Sequence, residues 1–176
     1  MKAWTQQMKK LLKEDLRALR VMIVEDDQPT RLLIRTFMEH LLFDDVTERE
    51  NGEAALKDLT RRHYDLIVTD LEMQPMNGWD ILHRIRHDPN ITNPYVPVIL
   101  ITQHASKESV LKARDYGASA FVAKPVDFKN LQRTIMTVLS DARPFVKADN
   151  YAGPDRRRQD KLPKDGKYQR EDDYRW

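Results

Sequence analysis

Four short apolar runs in this chain each end in a residue that can do chemistry. Val21–Val24 runs into Glu25, Asp26 and Asp27, and Leu66–Thr69 into Asp70. Val98–Ile101 stops at Thr102, and Ala120–Ala123 at Lys124 followed by Pro125. In an open parallel sheet the ligand site lies at the carboxyl ends of the strands. Carboxylates, a hydroxyl and one ammonium would then meet on a single rim. Carboxylates that close repel and raise one another's pKa. A hard divalent cation relieves the repulsion, and oxygen ligands suit magnesium, which also keeps room for a phosphate. The set therefore points to phosphoryl transfer with a carboxylate as nucleophile. Any one of these acids could instead be a helix cap; the whole set at successive run ends is not explained that way.

The elements that would position them follow from pattern. The runs MIV, LIV and VILI do not alternate, as expected of strands buried on both faces. Val46–Arg49 is shorter and more polar, which fits an edge strand. Between the runs lie helical patterns: Pro29 to Leu42, Glu53–Arg62, Trp79–Arg86, Ser106–Tyr116 closed by Gly117, and a last helix capped by Asp127. Five strands alternating with helices predict an α/β domain, a five-stranded parallel sheet doubly wound by helices, over residues 20–140.

Residues 1–19 precede it. Trp4, Met8, Leu11, Leu12, Leu16 and Leu19 recur at helical spacing among lysines and arginines, predicting an extra N-terminal amphipathic helix. It would pack on its own domain or on a twin, the latter giving a homodimer. Residues 141–176 lose the periodicity and are rich in Arg, Lys, Asp and Pro, predicting a charged, arginine-rich and disordered C-terminal tail.

Composition narrows the function. The 176 residues are 40% hydrophobic and 33% charged, and contain no cysteine. Disulfides, thiolate zinc and cysteine nucleophiles are thereby excluded. Nothing approaches a transmembrane run and the N-terminus lacks a secretory pattern, so the chain is expected to be cytoplasmic. The net charge of +2 divides into about +4 over residues 1–20, −4 over 21–140 and +2 over 141–176. An acidic central domain disfavours nucleic acid as its partner. His83 and His87 lie four apart, but no third metal ligand accompanies them. Met73 and Met76 flank Pro75 and read as loop packing.

The segments VMIVEDD (21–27), LIVTDLEMQPMNG (66–78), VILIT (98–102) and GASAFVAKP (117–125), in this order and spacing, resemble the receiver domain of two-component response regulators over residues 20–140. The resemblance implies a flavodoxin-like receiver fold of the stand-alone chemotaxis type. It makes Asp70 the phosphoacceptor, taking a phosphoryl group from a histidine kinase or phosphotransfer protein. Mg²⁺ would be held by Asp26 and Asp70, by Glu25 through water and by the backbone carbonyl of Glu72. Lys124 and Thr102 would each bind a phosphoryl oxygen, Pro125 would follow a cis peptide, and Phe121 would be the aromatic switch. Such a domain is a phosphoacceptor that assists its own phosphorylation and dephosphorylation rather than an enzyme; a related phosphatase would need a cap or second domain. Three departures stand out. Pro75 comes one place late, after Gln74; Phe121 lacks a hydroxyl; and Glu72 puts an acid two residues past Asp70.

The 36 residues after the last helix are too few for a helix-turn-helix, so no DNA-binding domain is expected and the output would be protein contact, with the target unknown. As an alternative, Arg156, Arg157 and Arg158 beside Tyr151 resemble the arginine-rich extensions of receivers that bind cyclic di-GMP. The chain would then be a nucleotide-binding adaptor.

Overall fold

The computed structural model describes residues 16–104, 106–141, 143, 145–148 and 151–155. Its main sheet has five parallel strands: β1 (Arg20–Val24), β2 (Asp45–Arg49), β3 (Leu66–Asp70), β4 (Val98–Thr102) and β5 (Ala120–Ala123), in the order β2-β1-β3-β4-β5. The helices between them are α1 (Gln28–His40), α2 (Gly52–Leu59), α3 (Gly78–His87), α4 (Lys107–Asp115) and α5 (Phe128–Leu139).

The strand alternation that the apolar runs conceal appears in the packing. Val21, Ile23, Leu66, Val68, Ile99 and Ile101 face α1 and α5. Met22, Val24, Ile67, Val98 and Leu100 face α2, α3 and α4. Both faces are therefore cores, and burying each such side chain contributes roughly 1.5–3 kcal/mol. This is why the buried stretches of the central strands, after the exposed Arg20 that opens β1, carry no polar residue until their carboxyl ends.

Helix starts are set by side-chain caps. Asp27, Asn51, Asn77, Ser106 and Asp127 each accept a backbone N–H from the first turn. Asp27 is thereby committed to α1, accepting from Thr30 N at 3.0 Å and Thr30 Oγ1 at 2.6 Å. Gly117 ends α4 with φ +82°, the left-handed conformation that favours glycine. Leu16, in a helical turn at residues 16–18, is buried in the core shared with α1 and α5. The rest of the predicted N-terminal helix, and with it the homodimer surface, lies outside the described residues.

Part of the stretch expected to be an unstructured tail is folded. Phe145–Ala148 (β6) and Tyr151–Pro154 (β7) pair antiparallel as a separate two-stranded sheet. Its register puts Phe145 opposite Pro154 and Ala148 opposite Tyr151. The hairpin finds its apolar partners on the domain rather than within itself. Phe145 stacks edge-on against Tyr95, with ring centres 4.8 Å apart, and under the Arg86 guanidinium at 4.9 Å. Ala152 is buried, and its carbonyl sits so close to Gly117 that any Cβ there would collide with it. Composition averaged over 36 residues hides two four-residue strands whose seat on the domain, at Tyr95, Arg86 and Gly117, is made of residues far away in sequence. Arg156, Arg157 and Arg158 lie outside the described residues.

Candidate functional site

The parallel register carries Glu25, Asp70, Thr102 and Lys124 to one end of the sheet. Glu25 follows β1, Asp70 and Thr102 are the last residues of β3 and β4, and Lys124 follows β5. Glu25 is fully buried and Asp70 is 3% exposed. Lys124 Nζ donates to Glu25 Oε1 at 3.2 Å and lies 3.0 Å from Glu25 Oε2 and 3.1 Å from Asp70 Oδ2. One ammonium thus bridges two buried carboxylates that stand 45 residues apart in sequence. Asp70 Oδ1 accepts from the Leu71 amide at 2.8 Å.

The electrostatics follow from burial. Desolvation pushes Glu25 up to about 7, against the opposing hydrogen bond from Lys124 and with the Asp70 charge adding to the rise. Desolvation also raises Asp70, again against Lys124. Burial alone would lower Lys124, but its hydrogen bonds to Glu25 and Asp70 outweigh that and hold it above its ordinary value. One cation is therefore not enough to make two buried carboxylates comfortable in their charged form.

That deficit fits a second, harder cation. One carboxylate oxygen each from Glu25, Asp26 and Asp70 lie within 4.8 Å of one another. Asp26 is exposed at the mouth. Glu25 Oε2, though buried, has an ion pair with Lys124 but no aligned hydrogen bond. An all-oxygen donor set with an open side suits a small divalent ion that keeps its own waters.

Two helix residues that the strand-end pattern did not single out, Arg31 and Gly78, hold this site in shape. Arg31, one turn into α1, donates Nη1 to the Glu25 carbonyl at 2.6 Å and braces the acidic loop. Gly78 lies against the backbone of Asp70 and Leu71, where a Cβ would fall 2.5 Å from the Asp70 carbonyl oxygen. The peptide bonds before Pro75 and before Pro125 are both cis.

Thr102 and Glu72 are joined to each other. The Thr102 hydroxyl donates to Glu72 Oε1, the Gln103 amide donates to Oε2 at 3.2 Å, and His104 Nδ1 lies 3.5 Å from Oε1. Burial would raise Glu72, but these partners, Thr102 foremost, hold its carboxyl below the usual range. Phe121 pairs in register with Leu100 and is half-buried. It packs against the core beneath α4 and lines a groove between α4 and α5. His83 and His87 stack on α3, with ring centres 4.4 Å apart.

Residues 21–136 match the family model of the response regulator receiver domain. The chain belongs to the response regulator receiver domain family. The receiver is 29% identical to the chemotaxis protein CheY-3 of Vibrio cholerae over 117 residues, 66% of this chain and 88% of that relative. It is equally similar, over the same length, to the chemotaxis protein CheY of Pseudomonas aeruginosa, of which it covers 93%. The fold is that of the chemotaxis response regulator CheY4 of Vibrio cholerae, with a TM-score of 0.62 and 22% identity over 68% of this chain and 98% of that one. It is also that of the receiver domain of a sensor histidine kinase from Pseudomonas aeruginosa, solved with a magnesium ion in its active-site cleft (TM-score 0.62, 24% identity, 70% and 98% covered). The family model ends at residue 136, before β6 and β7. No helix among the described residues of the receiver is long and apolar enough to cross a membrane.

Proposed function

We propose that this receiver accepts a phosphoryl group on Asp70 and passes the change on through protein contacts. The observation that carries the reading is the bridge of Lys124 between two buried carboxylates, Glu25 and Asp70. Burying two carboxylates beside a single cation is costly, and such clusters of perturbed groups concentrate at functional sites.

The donor is a phosphohistidine on a histidine kinase or phosphotransfer protein. An oxygen of the Asp70 carboxylate attacks phosphorus, the P–N bond breaks, and the electron pair leaves with the imidazole. Three phosphoryl oxygens then need positive or donor partners. The Lys124 ammonium takes one and the Thr102 hydroxyl another. Glu25, Asp26, Asp70 and the Glu72 carbonyl would hold Mg²⁺, which when bound neutralises charge on the transferring group. Release of Thr102 from Glu72 and its turn toward the phosphoryl group would leave space for the Phe121 ring to move inward. A local charge event then becomes a change of surface along α4 and β5.

Domains of this kind work beside cytoplasmic kinases, and this chain is placed there in the same reading. It acts as a phosphoacceptor rather than an enzyme with its own substrate. Nothing among the described residues bears on cyclic di-GMP, because the arginine triplet lies outside them.

Incubation with Mg²⁺ and acetyl phosphate followed by intact mass spectrometry tests the proposal. The expected result is a gain of one phosphoryl group that Asp70→Asn abolishes. Labelling that survives Asp70→Asn overturns the assignment of Asp70.

A further inference from the structure

The main chain of the acidic loop after β1 is fixed from two sides. The Glu25 amide donates to the Arg49 carbonyl at 3.1 Å, which carries the β1–β2 pairing one residue past Val24. The Glu25 carbonyl accepts from Arg31 Nη1 at 2.6 Å, and the same nitrogen donates to the Asp26 carbonyl at 3.4 Å. A long side chain on a helix leans toward the helix N-terminus. An arginine in the first turn of α1 therefore reaches back over the loop that leads into it. Arg31 bonds to the backbone of the two acids rather than to their carboxylates.

Arg31 is itself anchored. Its Nε lies 3.7 Å from Glu48 Oε2 on β2, with 16% of the arginine side chain and 33% of the glutamate exposed. Glu48 Oε1 is held by Arg35 Nη1 at 2.9 Å, and Arg35 Nε is paired with Glu39 Oε1 at 2.8 Å. Arg35 stands one turn after Arg31, so both arginines present one face of α1 to β2. Glu48 thus sits between two guanidinium groups, and the row ends at the peptide units of Glu25 and Asp26. β2, which contributes no residue to the strand-end cluster, reaches the site through this row.

We infer that Arg31, anchored by Glu48, is the positioning residue of the candidate Mg²⁺ site. It fixes the peptide units that carry Glu25 and Asp26, so that their carboxylates converge with that of Asp70. The inference rests on the proposed reading of these acids as metal ligands. Arg31 acts on a divalent ion in two opposed ways. Its charge repels the ion, and its bonds to the loop order the ligands. The Glu48 carboxylate offsets the charge and leaves the ordering. Groups that orient metal ligands are typically worth about 10–100-fold in metal affinity. Removing a merely repulsive cation would tighten binding instead, so the sign of the change decides between the two.

Titration of the full chain with Mg²⁺, followed by the amide NMR shifts of residues 25–27 and 70–72, gives the test. Arg31→Ala should weaken binding about tenfold. Glu48→Gln keeps the arginine but frees it, and should weaken binding severalfold. The double variant should bind no more weakly than Arg31→Ala, because Glu48 acts through Arg31. Arg31→Lys should not restore affinity, since one ammonium cannot hold carbonyl and carboxylate with separate nitrogens. Unchanged or tighter binding by Arg31→Ala, additive losses in the double variant, or full rescue by lysine each overturn the inference. A second measurement needs no metal. In EDTA, the backbone order parameters of Asp26 and Asp27 should fall in Arg31→Ala and in Glu48→Gln, while those of Ile67–Thr69 stay as they are. Unchanged order in the loop overturns the positioning role. A parent protein that binds no Mg²⁺ would count against the metal reading alone, and the order parameters would then decide the role of Arg31.

Discussion

The Thr102 hydroxyl donates to the Glu72 carboxylate, and its oxygen accepts the His104 amide at 3.0 Å. Thr102 ends β4, and Glu72 lies two residues past the end of the neighbouring β3, 30 positions away in sequence. A hydroxyl in this arrangement is already engaged, so it must leave Glu72 before it can serve any other acceptor.

Replacing Glu72 by Ala should therefore favour the phosphorylated form. A hydrogen bond to a charged group is worth about 1.5 kcal/mol net, or roughly tenfold in an equilibrium. Losing it, together with a carboxylate that repels anionic donors, should raise the steady-state labelled fraction severalfold at limiting acetyl phosphate. Titration with the donor and intact mass measures this. An unchanged titration would mean that the Thr102–Glu72 bond does not resist phosphorylation.

Lys124→Met removes the ammonium that bridges Glu25 and Asp70. Two buried carboxylates are then left without their cation, a defect of about 3 kcal/mol or more. The midpoint of urea unfolding at pH 8 without metal should fall accordingly, and Glu25→Gln added to Lys124→Met should recover part of the loss. In the proposed reading, labelling should also drop by about a hundredfold.

Stability should fall as pH rises from 5 to 8 when no divalent ion is present. Glu25 is pushed up to about 7 in the fold from an ordinary value of 4.5. Between these values the native state holds more protons than the unfolded chain, so raising the pH favours unfolding. Asp70, shifted in the same direction, adds to the trend. The lowered carboxylates Asp27, Glu72, Asp88 and Asp141 lose their stabilising effect only nearer their ordinary values, below this window. Thermal melts with EDTA across the range should show the decline. Glu25→Gln should flatten it, and Mg²⁺ should raise the melting temperature more at pH 8 than at pH 5.

Gly117→Ala tests whether the hairpin belongs to the domain. The position has φ +82° and faces the Ala152 carbonyl without room for a Cβ. Backbone strain alone costs about 1–2 kcal/mol, and the steric conflict should lift the hairpin off its seat. Hydrogen exchange along Phe145–Ala148 should accelerate far more than exchange along β1. Uniform acceleration would mean that the hairpin and the sheet unfold as one unit.

Arg86 shows how far the hairpin reaches into the domain. The side chain is 1% exposed, and its guanidinium donates to the carbonyls of Pro94, Val96 and Gly117 while lying over the Phe145 ring. Burial pulls its pKa down to about 9. In sequence this arginine stands one turn after Leu82, on the flank of the apolar stripe Ile81, Leu82 and Ile85, while Arg84 lies off that stripe and is exposed; the three carbonyls that take up the Arg86 charge come from loops beyond α3.

The contrast between those two arginines divides what was legible in the sequence from what was not. The five strands and their parallel pairing, the caps at Ser106 and Asp127 and the turn at Gly117 depend on local preference and on apolar periodicity, which neighbouring residues determine; the order β2-β1-β3-β4-β5 came from the fold. The gathering of Glu25, Asp70, Thr102 and Lys124 was also readable, because a parallel sheet must bring its strand ends to one edge. Three things required the folded chain: the bond between Thr102 and Glu72, the burial of Arg86, and the hairpin at 145–154. Each rests on side chains that meet across loops or helix ends, where no period links the partners. A strand of four residues has too little of its own to bury, and β6 and β7 are stable only because Gly117, Tyr95 and Arg86 offer a surface that exists after the sheet and its helices have packed.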